Sequence, residues 1–213
     1  METGSSSARE NILARIRKSN ARPRSAPALE VPLDAIFPPI ADSRRRFLEE
    51  CAGNMTEVFL SVGRAGSAEA LETILSTVPP GEIFVQDDPE LLALVAALGL
   101  KRKLRLSSEG APAESTQASL TLAHAFVAQT GSILTSSACG GRGASIVPPC
   151  HIVFGRGHQI LPDIAAALAR VQNKITGASY AGLITGSSRT ADIEKILVQG
   201  AHGPRRLAVI LEG

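Results

Sequence analysis

The chain has 213 residues, 44% of them hydrophobic and 20% charged, with a formal net charge of +2. That composition belongs to a globular chain long enough for one sizeable core, and it excludes disorder of the whole. Aromatic residues make up 3%, with no Trp and one Tyr, Tyr180, so the core is expected to be aliphatic. The exposed rings of a single-strand nucleic-acid platform are missing, and the near-neutral charge gives no ground for a nucleic-acid partner.

Three cysteines, Cys51, Cys139 and Cys150, are widely spaced with no C-x-x-C. Neither an iron–sulfur cluster nor a structural zinc site is expected within the chain. The odd count fits a reducing compartment, and Met1-Glu2-Thr3-Gly4 lacks the basic and apolar regions of a secretory signal. The longest near-apolar run, Leu91 to Leu100, is about half of the ~20 residues that span a bilayer. A cytoplasmic location without a membrane span is expected.

In chain order, Ser7 and Glu10 form a capping box for an amphipathic helix over 8–18 with Ile12, Leu13 and Ile16 on one stripe. Residues 1–18 read as a helical arm. Five prolines between Ser19 and Ala41 make 19–41 an extended linker, and 42–213 an α/β domain. Within it, Asp42 caps a helix through Phe47 towards Cys51, and the basic run Arg44-Arg45-Arg46 beside Glu49 and Glu50 reads as a solvated face. A strand is expected over 57–62, a helix capped by Ser67, and a strand over 82–86. Asp88-Pro89-Glu90 opens a helix that Gly99 stops. Further strands are expected over 103–106, 120–127, 132–135, 145–154, 181–185 and 207–211, with helices over 161–173 and 189–198. The two prolines in Ile146 to Val153 mark that segment as an edge strand or a bulge. The alternation predicts a layered, mostly parallel sheet, whose ligands sit beyond the carboxyl ends of its strands.

Three loops could carry chemistry. In Thr185-Gly186-Ser187-Ser188-Arg189-Thr190, an apolar strand ends at Gly186 and a helix is expected to begin. Its free N–H groups, the hydroxyls of Ser187, Ser188 and Thr190, and the guanidinium of Arg189 would form an anion site. Equally, Ser188 could only cap the helix and Arg189 only pair with Asp192 or Glu194. His202, between Gly200 and Gly203, is a candidate acid/base or anion ligand, or a loop imidazole bonded to backbone. Gln129-Thr130-Gly131-Ser132 offers hydroxyls and a close backbone approach, or is a plain hairpin turn. Gly140-Gly141-Arg142-Gly143 is a glycine loop with a cation that matches no nucleotide motif. No G-x-S-x-G or H-E-x-x-H occurs, and His124, His151, His158 and His202 have no evident Ser or Cys partner. No catalytic residue and no metal site is assigned.

Thr185 to Glu194 followed by Gly200-Ala201-His202-Gly203-Pro204 is similar to the C-terminal signature of the LUD-domain (lactate utilization protein C-like) family. Ala128 to Ser132 resembles that family's Ala-x-Thr-Gly-Ser/Thr turn, Val147 to Val153 its Leu-Pro-x-x-His-Ile-Val-like strand, and Arg9 to Leu13 its N-terminal helix. The family commonly has Glu where this chain has Gln129 and Pro where it has Ser187; Gln keeps hydrogen bonding but cannot titrate.

The resemblance implies a fold like that of ribose-5-phosphate isomerase, glucosamine-6-phosphate deaminase and CoA transferases. It implies a small subunit without clusters in a system oxidising L-lactate to pyruvate, with iron–sulfur clusters in partner proteins and a small anionic metabolite at the 185–194 loop. The competing expectations are an independent enzyme on a sugar phosphate, CoA ester or folate, and an assembly protein without activity.

Overall fold

The computed structural model describes residues 4–21, 38–190, 198–199 and 203–213. The chain divides into a unit ending at Pro39 and a second unit, Ile40–Gly213. The first contains helix α1 (Gly4–Asn20), which begins ahead of Ser7 and so takes that residue into the helix. Residues 22–37 of the expected linker lie outside the described residues.

The second unit is organised on six strands: β1 (Thr56–Ser61), β2 (Glu82–Val85), β3 (Leu104–Leu106), β4 (Thr116–Leu122), β7 (Cys150–Arg156) and β12 (Arg206–Glu212). They form one sheet in the order β1-β12-β7-β4-β2-β3, every pair parallel. Four further strands, β5 (Ala125–Val127), β6 (Ser132–Ser136), β8 (Ile160–Leu161) and β9 (Ala181–Ile184), form a mixed sheet in the order β8-β5-β6-β9. The helices are α2 (Ser43–Gly53), α3 (Gly63–Ser76), α4 (Pro89–Ala97) and α5 (Ile164–Ile175).

Period-2 alternation along the strands sorts the core into layers. On β12, Ala208 and Ile210 share one cluster with Leu71 and Ile74 of α3 and Leu91 and Leu94 of α4. Leu207, Val209 and Leu211 face the other way, onto Phe47 of α2, Phe126 of β5 and Ile133 of β6. The opposite face of the mixed sheet, Ala125, Val127 and Leu134, packs on Ala167 and Val171 of α5. Each sheet is therefore covered on both faces, which is why its strands read as continuous apolar runs. Close stacking requires Gly155 on β7: a Cβ there would lie 2.5 Å from the Phe126 ring.

Local signals act where expected. Asp42 accepts from the Arg45 N–H, and Asp88 from that of Glu90 with Pro89 at the first helical position. Arg45–Glu49 and Arg46–Glu50 pair along α2. Glu82, buried at the start of β2, takes Lys103, Arg105 and Thr116, and the Lys103 ammonium leads in holding its carboxyl below the usual range.

Four expectations are corrected. Ser67 lies within α3 rather than at its start, bonded to the Gly63 carbonyl, Ser61 and Glu212. The run 120–127 is two strands in two sheets, parted at Ala123-His124. Pro148 and Pro149 precede β7, which is central between β12 and β4; the segment before it makes a 3-10 turn over Arg142–Ser145. The prolines interrupt no ladder, so no edge or bulge results. Finally, Arg189–Thr190 and Val198–Gln199 are not helical but pair as antiparallel strands β10 and β11. The β-branched Thr190 and Val198 suit that ladder; residues 191–197 lie outside the described residues.

The turn between β5 and β6 passes hard against α2. Gly131 has φ 61, and a Cβ there would meet the Cys51 nitrogen and the Glu50 backbone carbon at 2.9 Å. Gly131→Ala combines a left-handed backbone with overpacking and should cost roughly 2–4 kcal/mol in urea unfolding. A loss below about 0.5 kcal/mol, the range of ordinary surface changes, would contradict this packing.

Candidate functional site

The expected loop pair does come together. Ser132 Oγ shares hydrogen bonds with Thr130 Oγ1 at 2.7 Å and Thr185 Oγ1 at 2.6 Å, so a chain of three hydroxyls joins the 129–132 turn to the end of β9. Asn54 Nδ2 holds the Thr130 carbonyl at 2.9 Å, and the Gln129 N–H donates to the Pro162 carbonyl at 2.9 Å. These bonds close a hairpin between antiparallel β5 and β6.

Beyond β9 the chain turns at Gly186, φ 75, and the Ser188 N–H donates to the Pro204 carbonyl at 2.9 Å. That N–H is consumed by backbone. With Arg189 and Thr190 in a strand, the cradle of free helix-start amides is absent at 188–190. His202 lies outside the described residues.

What the turn builds instead is one wall of a cleft of about 270 Å³ along the open edge of β9. Gly186, Ser188, Gly203 and Pro204 line it, with Thr135, Tyr180 and Gly182. Arg142, Ser145 and Ile146 line it from the segment before β7, and Leu183 and Ile184 add apolar surface from β9. Among the described residues, Arg142 is the only charged side chain in that lining, is exposed, and has no ion pair. It also lines a neighbouring cavity of about 370 Å³ formed by the 137–143 loop and Ser107 to Pro112. Of the expected site residues, Gly186 and Ser188 reach the cleft. Ser187 is buried outside it, and Gln129, Thr130 and Gly131 serve the hairpin. The cation is Arg142, whose signal in the sequence was a lone Arg in a glycine loop.

A second arrangement escaped the sequence reading. His124, between β4 and β5, places Nε2 2.8 Å from Ser136 Oγ and 3.5 Å from Cys139 Sγ. The expectation that no His has a Ser or Cys partner is corrected here, since the three residues meet only when β5 and β6 pair antiparallel, with the His124 N–H donating to the Leu134 carbonyl at 2.9 Å. Burial, reinforced by Lys174, holds the His124 imidazole below the usual histidine range. Burial also pushes the Cys51 thiol up to about 12 and the Cys150 thiol up to about 11, so neither is a thiolate nucleophile at neutral pH. The cysteines are unpaired and stand in three separate surroundings.

The fold and cleft define a class: an α/β domain in which a parallel sheet carries a stacked mixed sheet, with an open groove at the latter's edge. The sequence profile of the LUD domain matches residues 46–211, and the chain belongs to that family. It is similar to the lactate utilization protein C of Bacillus subtilis (strain 168), 28% identical over 240 residues that cover 99% of this chain and 98% of that protein. The protein of the same name from Deinococcus radiodurans is 32% identical over 102 residues, covering 47% of this chain and 48% of that protein. A crystal structure of a DUF162 family protein from Deinococcus radiodurans has the same fold, with a TM-score of 0.63 at 19% identity over 81% of this chain and 98% of that one. Among the described residues, no helix is long and apolar enough to cross a membrane.

His151 is a core residue. Its Nε2 shares a hydrogen bond with Thr121 Oγ1 at 2.9 Å, its Nδ1 has no partner, and burial lowers its pKa to about 4. The unfolded imidazole, with its ordinary value of 6.5, binds a proton that the folded one refuses. Stability therefore falls as pH drops below 6.5, by about 2 kcal/mol between pH 7 and 5 from this group. His151→Gln should flatten urea-unfolding stability over that window by about that amount; an unchanged slope would mean that His151 protonates in the folded state.

Proposed function

We propose that this chain is a cluster-free component of a system that oxidises L-lactate to pyruvate, and that it holds the small carboxylate in the cleft beside β9. The observation that carries the reading is Arg142, a lone cation without an ion-pair partner among the described residues, in a cleft otherwise lined by hydroxyls and aliphatic carbon. A guanidinium takes a carboxylate through two parallel N–H···O bonds. The hydroxyls of Ser145, Tyr180 and Ser188 suit the 2-hydroxyl of lactate or the keto oxygen of pyruvate. Ile146, Leu183 and Ile184 suit the methyl group.

The lactate utilization proteins to which the chain is similar over nearly its full length support the substrate class. Oxidation of lactate releases two electrons and two protons, and in this reading the electrons pass to iron–sulfur partner proteins. The 185–190 segment contributes through Gly186 and Ser188, with Arg142 in the part first given to Arg189.

Pyruvate or L-lactate at 100 times its Kd should stabilise the chain by about 2.7 kcal/mol, raising the unfolding midpoint by about 5–10 °C. Arg142→Ala should remove the shift, and Arg142→Lys should restore part of it. Equal shifts in the wild type and Arg142→Ala would place the carboxylate elsewhere, and no shift with either acid would sink the reading.

A further inference from the structure

A second cavity, of about 90 Å³, lies away from the cleft and shares no lining residue with it. It is lined by His124, His158, Arg170 and Lys174, together with Gln159 and apolar side chains, and by no carboxylate. We propose that this cavity binds a tetrahedral oxyanion, either inorganic phosphate or the phosphoryl end of a small metabolite.

Three independent features converge on it. The first is position in the fold. β4 and β7 are neighbouring parallel strands ending at Leu122 and Arg156. His124 and His158 each stand two residues beyond one of those ends, and ligands of α/β sheets collect beyond carboxyl ends.

The second is the charge pattern of α5. Arg170 and Lys174 are spaced i,i+4 on one face of a helix that contains no acidic residue; Asp163, just ahead of it in the chain, caps the opposite end by accepting from the Ala166 N–H at 2.7 Å. A like-charge pair at that spacing is unfavourable on its own and becomes favourable when an anion lies between the two heads.

The third is how the remaining polar groups are engaged. Gln159 is tied down at both ends, donating from Nε2 to the Ala123 carbonyl at 3.0 Å and accepting from the Arg156 N–H at 2.6 Å. His124 Nε2 is occupied by Ser136 and Cys139. The groups left to a ligand are thus the two cationic heads, which are donors only, with the His158 ring and His124 Nδ1; a neutral imidazole donates from one ring nitrogen. Two permanent positive charges and two imidazoles match a dianion better than a monocarboxylate. The volume admits a phosphoryl group while leaving any attached carbon skeleton outside.

The test is isothermal titration of the full chain with inorganic phosphate, glycerol 3-phosphate and, as the monocarboxylate control, acetate, using wild type, Arg170→Ala, Lys174→Ala and Arg142→Ala. Phosphate or its ester should bind at least tenfold more tightly than acetate, and either α5 substitution should weaken binding at least tenfold. Arg142→Ala should leave it unchanged, which separates this site from the lactate cleft. Tighter binding of the ester identifies a phosphorylated metabolite, and equal or weaker binding identifies the free ion. A second readout guards against a merely structural role: without phosphate, relieving the like-charge pair should leave the α5 variants at least as stable as wild type. Absence of phosphate binding, or binding abolished by Arg142→Ala and untouched by the α5 changes, overturns the proposal.

Discussion

The contact on which the molecule depends is the stacking of the mixed sheet onto one face of the parallel sheet. Leu207, Val209 and Leu211 of β12 and Val153 of β7 meet Phe126 and Ile133 there, with Phe47 wedged in from α2. The Phe47 and Phe126 rings are 5.2 Å apart, tilted at 54°, a geometry favoured by aromatic quadrupoles. The segment joining β6 to β7 passes over β4 of the parallel sheet, where the buried Ser119 Oγ donates to the Ala144 carbonyl at 2.6 Å. That path carries Arg142 to the edge of β9. The antiparallel pairing of β5 with β6 brings His124, just beyond β4, against Ser136 at the end of β6 and Cys139 after it.

The elements with local punctuation were legible in the sequence. Asp88, Pro89 and Gly99 delimit α4 because cap, fixed φ and positive φ act within a few residues. The parallel sheet was legible as alternation of strands and helices. The splitting of 120–127 was not, because strands buried on both faces lose the period-2 signal that would show where one sheet ends and another begins. The apolar spacing between them makes Arg189–Thr190 and Val198–Gln199 read as the ends of a helix, and only their mutual pairing reveals a ladder.

The candidate site was half legible for a related reason. The turns at Gly131 and Gly186 could be found by their backbone chemistry, and the hydroxyl chain through Ser132 confirms that they adjoin. Arg142 and Ser188 are far apart in sequence, and nothing in either segment announces the other. Non-local pairing of this kind is set by the tertiary fold, and the resemblance of motifs along the chain carries no distances. Hence Arg189 drew attention for its neighbourhood, while Arg142 gained its place from the fold.

Among the described residues, the cleft lining is uncharged apart from one guanidinium, Arg142, and it is on this combination that the proposed binding of a small carboxylate rests. The most direct measurement is amide NMR of the full chain during titration with pyruvate. The account requires saturable shifts concentrated at Thr135, Arg142, Ser145, Gly182, Leu183 and Ser188. Shifts centred elsewhere, or none up to high pyruvate, would contradict it.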